Sequence, residues 1–356
     1  MKKFVSVILA LALIVCTFAA CGESDSVLPE NESQAQTDNK KKLNIVTTIF
    51  PEYDWVMQIL GEKAADAEVT MLLDNGVDLH SYQPTAEDIM KISTCDMFVY
   101  VGGESDEWVE DALKEAVNEN MVVINLLEAL GDSVKNEEIV EGMEHEHDEE
   151  DHEHEEDHEH EETHDESEEH DHDHEHEEEK DEHVWLSLKN AGAVCDTIAA
   201  SLCTLDPDDA DTYNSNLDAY KTKLADLDKK YADAVSAGKT KTLLFGDRFP
   251  FRYLTDDYGL DYYAAFAGCS AESEASFETI TFLAGKVDEL GLKNVLTIEK
   301  SDRKIAETII DNTKTKDQKI LTLDSMQSAT MKDAENGTTY LSVMESNLEV
   351  VKAAVE

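Results

Sequence analysis

Histidine and carboxylate side chains bind divalent metals, and this chain holds both in two contrasting settings. Eleven of its 13 histidines (His145, His147, His152, His154, His158, His160, His164, His170, His172, His174 and His176) fall in one tract of alternating histidine and acid. The other two, His80 in "GVDLHSYQP" and His183 in "DEHVWLSL", stand outside the tract. The tract has no hydrophobic period and no fixed ligand spacing, so it offers many exchangeable sites rather than one coordination geometry. The isolated histidines can be held in place by a fold, and a selective metal site needs that.

Charge narrows the partners. The formal net charge is −52, and residues 144–182 alone carry 25 acids against one lysine. Such a balance repels nucleic-acid phosphates and favours cations. Outside the histidine-rich tract no HExxH pattern is present, and no general base is paired with an open metal position, so no catalytic residues are expected. The six cysteines contain no CxxC pair. Cys16 lies in the leader, and Cys95, Cys195, Cys203 and Cys269 are expected as small core residues.

The elements that position these residues follow from the apolar pattern. "MKKFVSVILALALIVCTFAAC" has a basic start, an apolar run and small residues before Cys21, so residues 1–20 are expected to be a signal peptide. Lipidation of Cys21 would then anchor the chain to the outer face of a membrane, with residues 21–42 as a polar tether. Strand candidates 43–50, 67–73, 96–103 and 121–127 alternate with amphipathic segments, which predicts a mostly parallel sheet covered by helices. A second set at 242–245, 260–266, 294–299 and 319–324 repeats the pattern.

Between the two sets, Tyr213, Leu217, Tyr220, Leu224, Leu227, Tyr231 and Val235 recur at helical spacing. They follow Asp206-Pro207, a helix-start signal. The expected fold is α/β with two lobes: residues 43–205, interrupted by the His/Asp/Glu-rich loop 142–182, and residues 239–356. One long rigid helix, 206–238, joins them, and the length permits a separate core in each lobe.

Ligands of parallel sheets collect beyond the carboxyl ends of the strands. That rule selects His80, His183, Asp247, Glu299 and Asp324, placed on two rims that face one another.

"GVDLHSYQPTAEDI", "DEHVWLSLKNA", "FGDRFPFRYLTDDYGLDY" and "ILTLDSM" resemble, in order and spacing, the metal-contacting segments of the zinc/manganese-type solute-binding lipoproteins of bacterial ABC importers. The resemblance covers Leu43 to Glu356. It implies an extracytoplasmic, monomeric cleft protein that captures Zn²⁺, or alternatively Mn²⁺, and hands it to an ABC permease. It also implies His80, His183, Asp247 and Asp324 as ligands, with Glu299 as a substitute where the short Asp247 falls short. Asp247 stands where zinc members carry histidine and manganese members glutamate. The eleven-histidine tract becomes an accessory that concentrates metal. An extracellular metal buffer or adhesin that relies on that tract alone is the competing reading.

Overall fold

A computed structural model describes residues 42–143, 179–270 and 274–356. The expected signal peptide, Cys21 and the eleven tract histidines lie outside those residues. Four strands, β1 (Leu43–Thr47), β2 (Ala67–Met71), β3 (Met97–Tyr100) and β4 (Val122–Asn125), form an all-parallel sheet in the order β2-β1-β3-β4. Four more, β5 (Thr242–Phe249), β6 (Asp261–Ala267), β7 (Asn294–Thr297) and β8 (Lys319–Thr322), repeat the arrangement as β6-β5-β7-β8. The strand order reverses beside β1 in one sheet and beside β5 in the other. Each reversal leaves a crevice at the carboxyl ends.

Most strands stop two or three residues short of their apolar runs, because the run continues into the turn that follows. β5 does the opposite. It extends four residues beyond the expected end at Phe245, through a register shift between Phe245 and Arg248. Gly246 permits this, since a side chain there would meet the Ala306 backbone at 2.6 Å. The irregularity places Asp247 inside the strand rather than beyond it, and re-aims the residues that follow.

The long helix spans Ala210–Ala237 after a 3₁₀ turn at Pro207–Asp209. Its buried residues are the seven of the predicted stripe. It serves as a brace rather than a free spacer, packing along helices Phe50–Leu60, Leu188–Leu205 and Tyr340–Val355.

The C-terminal helix ties the lobes together. Tyr340 packs edge-on to Trp55 with centroids 5.2 Å apart, and its backbone N–H donates to Asp54 Oδ2 at 3.0 Å. Tyr340 Oη donates to the Trp185 carbonyl at 2.7 Å, and Trp185 Nε1 to the Ser325 carbonyl at 2.8 Å. The main apolar core accordingly runs through both lobes without a break. A smaller one lies on the far face of the second sheet, under helices Phe277–Leu290 and Lys304–Asn312. Separate lobe cores, which the length permits, are not what forms. The rims of the cleft are therefore held at a fixed spacing by shared packing.

Candidate metal centre

His80 sits on a single 3₁₀ turn, Leu79–Ser81, beyond β2. Two features fix that turn. Leu79 is buried beneath it, and Asp78 caps it by accepting the His80 backbone N–H at 3.1 Å. His80 Nδ1 lies 2.7 Å from Ser105 Oγ, on the loop after β3, and 3.5 Å from Glu182 Oε2.

His183 is fully buried at the start of another 3₁₀ turn, Val184–Leu186. The carboxylate of Asp181 accepts both its backbone N–H (2.9 Å) and its Nδ1–H (3.0 Å) through one oxygen. Both rings are thus held by Nδ1, and they face one another through Nε2 at 3.2 Å. A tetrahedral metal with N bonds of 2.0–2.1 Å sets two such nitrogens about 3.3 Å apart. A carboxylate or hydroxyl on the far nitrogen is the usual way a metal-binding imidazole is oriented.

Protonation fits the same picture. Burial first, and the His183 ring second, push His80 down to about 3, so its ring is neutral at ordinary pH. The Gln327 amide, turned so that its nitrogen donates to Asp78, brings its oxygen to 2.7 Å from His183 Nε2. His183 Nε2 therefore faces both the Gln327 oxygen and His80 Nε2. A divalent cation bound there would replace those contacts.

From the second lobe the structure brings a residue that the sequence reading placed in the core. Cys269 follows β6 by two residues, and its sulfur joins the two imidazoles so that the three donor atoms lie within 4.8 Å of one another. Among the described residues this is the one group of three or more His, Cys, Asp or Glu donors so arranged. The approach depends on Gly268, where a side chain would meet His183 Cε1 at 2.9 Å. The Cys269 backbone N–H donates to Glu137 at 3.2 Å. Burial, and then Glu137, Glu182 and Asp181, push its thiol well up, so the metal-free sulfur is protonated.

The predicted acids each accept from a neighbouring donor, but Asp247 Oδ2 is left buried without a hydrogen-bond partner. Asp247 accepts the backbone N–H of Arg248 at 2.9 Å and lines a cavity of about 450 Å³ with Glu299 and Lys300. Glu299 accepts four hydrogen bonds, from the backbone N–H and hydroxyl of both Ser325 and Ser328. Asp324 accepts the Met326 N–H at 2.8 Å, and burial with Glu299 beside it pushes its carboxyl up to about 6. None of the three enters the group around His80 and His183. Past the β5 irregularity, Arg248 reaches across the cleft to Asp78 at 2.7 Å. A guanidinium has no lone pair for a metal, so Arg248 orders the rim without ligating.

Comparison with known proteins places this geometry. The family described as "ZnuA: Zinc-uptake complex component A periplasmic" matches residues 45–354. The chain belongs to this family. It is 30% identical over 347 residues to the "High-affinity zinc uptake system protein ZnuA" of Bacillus subtilis, covering 97% of this chain and 95% of that one. It is 29% identical to "Zinc-binding protein AdcA" of Streptococcus pyogenes, but spans only 62% of that longer relative. Among solved structures, the Zn(II)-bound ZnuA-like domain of Streptococcus pneumoniae AdcA superposes with a TM-score of 0.64 at 28% identity, covering 88% of this chain and 99% of that one. ZnuA-family proteins are two-lobed solute-binding proteins, in keeping with the two parallel sheets seen here.

Cys269 and Arg248 were not selected by the sequence reading, although the signal for both was present. "AFAGCS" puts Cys269 just past a strand end, where the rule that selected Asp247 applies equally. Arg248 is the neighbour of Asp247. Only the strand irregularity decides which of those two crosses the cleft.

Proposed function

We propose that the protein captures a divalent transition metal, Zn²⁺ in preference to Mn²⁺, outside the cytoplasm and delivers it to an ABC-type permease. The observation that carries this is the His80–His183 pair: two imidazoles, one partly and one fully buried, held by Nδ1, with their Nε2 atoms at ligand spacing. Family membership and the zinc-bound relatives support zinc as cargo. A site dominated by imidazole also suits zinc better than manganese, which prefers oxygen donors.

His80 and His183 are the ligands in this reading. Asp247 and Asp324 are its weaker members, because they lie outside the donor group around the two imidazoles and one oxygen of each already accepts from a neighbouring backbone N–H. The protein acts as a monomer held to the membrane by lipid on Cys21, and the histidine tract feeds metal to the cleft. It is a binding protein and not an enzyme, in line with its family.

The test is a zinc–manganese competition titration of the secreted chain against its His80→Ala/His183→Ala counterpart. A tight zinc site that the double variant lacks supports the assignment. Equal tight binding by both proteins would remove the cleft from the account and leave the tract as the binding element.

A further inference from the structure

We propose that Cys269 is the third protein ligand, a thiolate, so that the centre is His₂Cys with one position left for water or a mobile carboxylate. The proposal rests on the metal-capture reading and makes its donor set specific. Its geometry is independent of the acids expected from sequence. Among the described residues, the sulfur is the one second-lobe donor that lies with a ring nitrogen of each histidine inside a 4.8 Å group. With a Zn–S bond near 2.3 Å and Zn–N bonds of 2.0–2.1 Å, a tetrahedral centre needs N···S separations of about 3.6 Å. A short movement of the 268–270 loop would supply them.

That loop is built for the approach. Gly268 leaves no side chain between the loop and the His183 ring. Glu137 fixes the Cys269 backbone, and Arg248 reaches the Ser270 carbonyl at 3.5 Å while it holds Asp78 beside His80. The other described cysteines differ. Cys95 and Cys195 are fully buried in the main core, and Cys203 packs against that core from a helix.

The chemistry balances as a ligand exchange. The cation gains a bond to sulfur, the S–H bond breaks, and the proton leaves to solvent with no change of oxidation state. The centre then carries one net positive charge, which Asp181 and Glu182, both buried at its edge, offset. A thiolate is a soft donor. It would sharpen selection of zinc over manganese where a third carboxylate would blunt it.

The experiment is X-ray absorption at the zinc edge on the secreted chain loaded with less than one equivalent of zinc. It is run beside Cys269→Ser, Cys269→Ala and His80→Ala/His183→Ala. The proposal expects a sulfur shell near 2.3 Å in the parent protein that both cysteine variants lack. It also expects zinc affinity in those variants to fall by at least the roughly 10–100-fold that loss of an outer-shell partner costs. A shell of nitrogen and oxygen alone that still changes in the histidine double variant would overturn the thiolate and leave metal capture standing. A shell unchanged in every variant would overturn both.

Discussion

The two rims of the cleft carry similar numbers of possible ligands and use them differently. On the first, the two histidines have no structural duty at Nε2: Ser105 and Asp181 engage the opposite nitrogens, and the Nε2 atoms meet only each other and Gln327. On the second, Glu299 is fully engaged by Ser325 and Ser328, while Asp247 and Asp324 each give one oxygen to a neighbouring backbone N–H and Asp247 Oδ2 is left buried without a partner. A carboxylate beyond a strand end has two possible occupations, ligand or cap. Its neighbours decide which, and residue type does not.

Four variants would break or sharpen this contrast. His183→Ala should have the largest effect, because it removes a ligand and leaves Asp181 buried without its ring partner. Zinc affinity should fall by more than about 100-fold, beyond the range for outer-shell partners, in a competition assay against a chromophoric chelator. Asp181→Asn keeps the ring but weakens what orients it, so the same assay should show a loss of about 10–100-fold.

Asp78→Ala comes third. It removes the cap on the His80 turn, worth about 1 kcal/mol, and unpairs Arg248. Zinc should bind roughly fivefold more weakly, mainly through faster release. Glu299→Gln should leave zinc affinity within about twofold, while thermal or denaturant unfolding shows a loss of about 1–3 kcal/mol. That loss follows because an amide nitrogen would face the Ser325 and Ser328 donors. If Glu299→Gln abolished binding instead, the second rim would have to be counted among the ligands.

The fold could be read from sequence to the extent that it depends on apolar period. The seven-residue stripe of the long helix and the eight parallel strands follow from spacing alone. The continuous core was not legible, because it depends on long-range contacts such as Trp55 with Tyr340, 285 residues apart, which no local pattern encodes. At the site, His80 and His183 stood out as isolated histidines at strand and loop ends. Cys269 did not, since a lone cysteine reads equally well as a small core residue. The exchange of Asp247 for Arg248 at the cleft depends on the shifted register inside β5, which Gly246 permits through its close approach to Ala306.

The most direct test of the central claim is a crystal structure of the zinc-loaded protein with anomalous data collected at the zinc edge. The account predicts one strong peak between His80 Nε2 and His183 Nε2, at bonding distance from both. A peak against Asp247, Glu299 or Asp324 with the two imidazoles still in mutual contact would contradict it.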